Sequence, residues 1–177
     1  MKILTLLRHA KSGWDDPVSR DFDRPLNPRG RRAARTVGAE MKALDLAFDL
    51  VLASPARRVV ETLEEVESAY GPLRARPDER LYLASAATLV EIVRATPEDA
   101  GRLLLVGHNP GLEEIALRLS RRDSDPLRGE IEVKYPTGTL VEIELPIDHW
   151  SDMRKGEGRI VRLIRPRDLD PQLGPED

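Results

Sequence analysis

The chain has 177 residues, 40% hydrophobic and 33% charged, with a net charge of −3. That balance suits one soluble domain with a substantial core and gives no global field that would draw it to nucleic acid or a membrane surface. Cysteine is absent, which removes disulfides, thiolate nucleophiles and cysteine metal sites together.

No apolar run approaches the ~20 residues of a membrane span, and the first apolar run begins within three residues of Met1, so a cytoplasmic protein is the expectation. Ile3, Leu4, Leu6 and Leu7 form a near-continuous apolar run, the pattern of a strand covered on both faces of a parallel sheet. It ends in Arg8-His9, and the carboxyl end of such a strand is where these folds place ligands. Residues 13–26 are polar and proline-bearing, reading as a loop that crosses the strand's exit and can wall a site. Asn27-Pro28 gives an N-cap and a first-turn proline, and Ala34, Val37, Met41 and Leu44 then recur at helical spacing. Gly30 and Gly38 each weaken that helix by ~1 kcal/mol relative to alanine, so packing must compensate.

Residues 48–53 read as a second strand. Ser54-Pro55 repeats the cap-plus-proline signal, and Val59, Leu63, Val66 and Tyr70 mark a buried stripe before Gly71-Pro72 ends the helix. A short third strand over 73–76 and a helix over 85–96 follow. Leu103 to Val106 is again a buried strand, turning through Gly107-His108-Asn109-Pro110-Gly111 into a helix, with Asn109 as its cap. Residues 121–138 are charged and turn-rich. The alternation of Val141, Ile143 and Leu145 indicates an edge or antiparallel strand, and Arg159 to Ile164 a last strand. The order indicates a three-layer α/β domain over residues 1–167, with 168–177 as a loose acidic tail.

Three strand ends carry chemistry. Arg8 offers a planar fork for phosphate oxygens, and a neutral His9 can attack phosphorus. Arg58 falls in the first turn of its helix, where free N–H groups also favour an anion, with Thr62 one turn further on. Two of the three histidines, His9 and His108, follow directly on buried strands. Their scatter supplies no metal-ligand set, and His149 reads as structural or exposed.

LRHAKS at the N-terminus, SPARRVVET in the middle and VGHNPG late in the chain resemble the signature blocks of the histidine phosphatase superfamily. RPLNPRG, LYLAS, KYPTGTL and IVRLIRPRDL resemble, more narrowly, its phosphohistidine phosphatase branch called SixA. The resemblance implies a phosphoglycerate mutase-like fold, with a mainly parallel sheet and helices on both faces. It also implies hydrolysis through a phosphohistidine intermediate, without metal or cofactor. On matching positions His9 is the nucleophile, Arg8 and Arg58 clamp the phosphate, and His108 completes the pocket. Ser12 is a secondary phosphate ligand, while Asp15 stands where relatives have Asn and is kept out by its charge.

Relatives that cleave phosphomonoesters place a glutamate shortly after the third strand to protonate an alkoxide. Here Leu81-Tyr82-Leu83-Ala84-Ser85 occupies that stretch, with Glu79 the nearest upstream carboxylate. Imidazole leaves phosphorus more readily, so phosphohistidine in a protein is the leading substrate. A small-molecule phosphomonoesterase using Glu79 or another carboxylate as acid, or a non-catalytic phosphate-binding module, remain the alternatives. No nucleic-acid or membrane partner is expected.

Overall fold

The computed structural model describes residues 1–13, 20–122 and 125–174. Its single sheet has the order β3-β2-β4-β1-β5-β6, formed by β1 (Lys2–Arg8), β2 (Leu50–Ala53), β3 (Arg76–Pro77), β4 (Arg102–Gly107), β5 (Leu140–Leu145) and β6 (Arg159–Ile164). The first four strands run parallel, while β5 is antiparallel to both β1 and β6. The expected mainly parallel sheet is therefore present, and β5 is an internal antiparallel strand with β6 at the edge.

Side chains alternate across β1 and β4, so both faces must be covered. Leu4, Leu6, Leu103 and Leu105 pack beneath α3 (Ala86–Arg94), α4 (Gly111–Leu119) and Ile131 of α5 (Pro126–Val133). Leu7, Leu104 and Val106 pack on the opposite face against α1 (Pro28–Ala43) and α2 (Arg57–Tyr70). Helix α5 lies in the stretch read as turns. Asp125-Pro126 begins it, and Asp125 caps Leu127 N, the same signal that marks α1 at Asn27-Pro28.

Two boundaries move for local reasons. Helix α2 starts at Arg57 rather than at Ser54, because Ser54 Oγ accepts from His108 Nε2 and reaches along the chain only to Ala56 N, short of the helix's own amides. Pro110 stands at the N-cap of α4, and Asn109 Oδ1 accepts from Glu113 N at 3.2 Å.

Residues 168–174 are packed, not a loose tail. Pro166–Leu169 forms α6, Leu173 is buried, Arg32 pairs with Asp170, and Arg29 Nη2 donates to Gly174 O at 2.6 Å. Arginines on α1 thus strap the segment down, which composition alone does not reveal.

Packing does compensate for the glycines of α1. A Cβ at Gly38 would lie 2.5 Å from Val66 O, and one at Gly30 only 2.0 Å from Lys11 O. Gly38→Ala is therefore expected to destabilise the protein, because forcing the helices apart costs ~1–3 kcal/mol and exceeds the ~1 kcal/mol gained in helix propensity. Gly129→Ala, on α5 with nothing within 4 Å, is expected to stabilise. Urea midpoints of the two variants moving in the same direction would contradict this account.

Candidate active site

The carboxyl ends of β1, β2 and β4 open into a cleft of about 560 Å³ lined by Arg8, His9, Ser12, Arg58 and His108. All five site residues expected from the sequence are brought together. Backbone hydrogen bonds deliver them: His9 N donates to Gly107 O at 3.0 Å, and Gly138 N to His9 O at 2.9 Å. Thr62 ties the segment after β1 to α2. Its Oγ1 accepts from Ala10 N at 2.9 Å and donates to Arg58 O at 2.6 Å.

His9 Nδ1 lies 2.6 Å from Ala10 O. A carbonyl only accepts, so Nδ1 carries the proton and Nε2 keeps its lone pair. Burial, and then the nearby His108, Arg58 and Arg8, lower the His9 pKa to about 3 against the pull of the Ala10 bond. The ring is thus neutral and nucleophilic at physiological pH.

Arg58 is 2% exposed, and its Nη2 donates to His108 Nδ1 at 3.3 Å. His108 consequently carries its proton on Nε2, which donates to Ser54 Oγ at 2.8 Å. Burial and Arg58 lower the His108 pKa to about 4. In this arrangement His108 is a neutral acceptor that orients Arg58, and the positive charge beside His9 comes from Arg8 and Arg58 rather than from His108. Arg8 Nη1 donates to Tyr135 O at 2.9 Å, and the Nε groups of both arginines are buried without a partner.

Two residues not singled out in the sequence complete the site. Asp21, in the loop expected to wall it, accepts from Arg58 Nη2 at 3.0 Å, Arg24 Nε at 3.0 Å and Tyr82 Oη at 2.6 Å. Burial opposes its charge, but these donors outweigh burial and hold its pKa at about 2. Tyr82 packs edge-on to His108, at 5.4 Å between ring centroids, and Phe22 edge-on to Tyr82 at 5.1 Å. Glu61 on α2 anchors the loop by accepting from Leu26 N at 2.8 Å. Glu79 is exposed and does not line the cleft, and Asp15 lies outside the described residues. His149 is exposed, 3.4 Å from Glu98.

The depressed histidines make acid destabilising. Between their unfolded value near 6.5 and their folded values of about 3 and 4, the unfolded chain takes up protons that the folded chain refuses, so stability falls as pH drops through that window. The urea midpoint is expected to be lower at pH 5 than at pH 7.5, with the difference reduced in His9→Gln. An unchanged midpoint would mean that the rings are not held neutral. Asp21 contributes in the same direction only at lower pH, since its stabilisation is lost as pH falls below the ordinary carboxylate range towards 2.

Among the described residues no group of three or more His, Asp or Glu is placed to hold a metal ion, and no helix is long and apolar enough to cross a membrane. Residues 4–82 match the sequence profile of the histidine phosphatase superfamily, branch 1. An uncharacterized protein of Mycobacterium tuberculosis is 36% identical over 163 residues, covering 91% of this chain and all of the relative. The SixA structure from Nakamurella multipartitia is 29% identical with a TM-score of 0.80, covering 93% of this chain and 96% of its own. That from Agrobacterium tumefaciens is 26% identical with a TM-score of 0.76, covering 93% and 98%. The strand-end arginines and histidines therefore sit on a phosphoglycerate mutase-like fold, and the chain belongs to the histidine phosphatase superfamily, in its SixA-type branch.

Proposed function

We propose that the protein is a cytoplasmic, metal-independent phosphatase that removes the phosphoryl group from phosphohistidine in proteins through a covalent intermediate on His9. The observation that carries this reading is the state of the cleft's carboxylate. Asp21 is the sole carboxylic residue among the described residues lining the cleft, and its pKa of about 2 leaves it no proton for an alkoxide. An alkoxide leaves poorly without an acid from the enzyme, whereas a phosphohistidine ring already protonated on its other nitrogen departs as neutral imidazole without one. The phosphohistidine phosphatase assignment that the two SixA relatives carry in their names favours the same substrate.

In the first step His9 Nε2 attacks phosphorus. Arg8 and Arg58 neutralise charge spread over the equatorial oxygens, a preorganised electrostatic contribution that needs no cation. Ser12 stands at the cleft wall as a further hydroxyl for the phosphoryl oxygens. Water then cleaves the phosphohistidine enzyme. In excess EDTA, phosphate release from a phosphohistidine carrier domain is expected to outpace release from sugar and nucleotide monoesters. Faster monoester turnover would favour a small-molecule phosphatase, and a requirement for added Mg²⁺ or Zn²⁺ would overturn the charge assignment.

A further inference from the structure

When phosphorus moves from a substrate imidazole to His9, the electron pair of the broken P–N bond returns to the substrate ring. That ring departs as neutral imidazole only if its other nitrogen already carries a proton. An N–H in that position is held by an acceptor, the part a carboxylate plays beside catalytic histidines in general. The arginines of this site cannot accept, and both nitrogens of His108 are engaged.

Asp21 can. Its side chain lines the cleft and is 38% exposed. A carboxylate has about four acceptor positions, and Arg24, Arg58 and Tyr82 take three of them. Its Oδ2 shares one Arg58 nitrogen with His108 Nδ1, which puts it at the phosphate clamp and not out on the rim. Holding Arg58 in place does not by itself require the charge, since the Asp21 backbone carbonyl already accepts from Arg58 Nη1 at 2.8 Å.

Resting on the phosphohistidine reading, we propose that Asp21 receives the leaving imidazole, accepting the distal N–H of the substrate ring and so selecting a ring over an alkoxide. The Nε2–P bond forms on His9 as the substrate P–N bond breaks. The freed pair stays on the ring nitrogen, and the distal proton remains on the ring, hydrogen-bonded to Asp21. No proton is transferred. In the hydrolysis that follows the leaving group is His9 itself, whose Nδ1–H rests on Ala10 O, and Asp21 takes no part.

The test is Asp21→Asn in the full chain, assayed with phosphoimidazole and with p-nitrophenyl phosphate, whose leaving group needs neither a proton nor an acceptor. The loss in kcat/KM is expected to be at least about tenfold greater on phosphoimidazole than on the aryl ester. Vanadate is expected to bind the variant at least as tightly as it binds the parent, because a negative charge has left the clamp. Equal losses on the two substrates, or weakened vanadate binding, would show that Asp21 merely aligns Arg58 and would overturn the proposal. Absence of phosphoimidazole turnover in the unsubstituted protein would instead overturn the phosphohistidine reading, and the role of Asp21 with it.

Discussion

His9→Ala is expected to lower turnover by about 10⁴-fold or more and to abolish transfer of 32P from a labelled substrate to the enzyme. Binding should survive, because the clamp does not depend on this ring. Arg8 is held by the Tyr135 carbonyl and Arg58 by Asp21 and His108, while Thr62 continues to join Ala10 to α2. Vanadate affinity within a few-fold of the parent, together with lost labelling, would separate chemistry from binding. Acid-labile phosphate accumulating on the variant at the parent rate would end the covalent mechanism.

Arg58→Ala should instead damage binding and transfer together. Its guanidinium is available to the phosphoryl oxygens in both the ground and the transition state, and losing such a donor costs ~2.7–4 kcal/mol of barrier, or about 10²–10³ in rate. Arg57→Ala is the control. That neighbour is half-exposed and pairs with Glu61 at 3.0 Å along the outside of α2, an interaction worth under ~1 kcal/mol of stability, so kcat/KM should be nearly unchanged. A crippled Arg57→Ala beside a healthy Arg58→Ala would mean that the SPARR block had been read one residue out of step.

The groups that convert most directly from sequence to site are those attached to regular structure. Arg8 and His9 follow an unmistakable buried strand, His108 follows another, and Arg58 lies in the first turn of an amphipathic helix, so their convergence needed only parallel strands. What was not legible depends on side chains reaching across the fold. Ser54 looked like a cap because Ser-Pro caps helices, and nothing local says that a histidine 54 positions away claims its hydroxyl. Asp21 sits in a loop with several other acidic residues, and only the Arg58 contact across 37 positions distinguishes it. The packed segment after Pro166 was obscured by its proline-rich, acidic composition, since its anchors are arginines on α1. Helix α5, by contrast, could have been found from Asp125-Pro126.

The central position of β1 also bears on how the protein is made. Its register partners are residues 102–107 on one side and 140–145 on the other, so β1 is synthesised about a hundred residues before either of its edges can be paired. Local helices such as α1 can form meanwhile, but closing these long loops is slow and leaves an apolar strand unprotected. Nascent chains stalled before β5 should therefore be chaperone clients and inert towards phosphate.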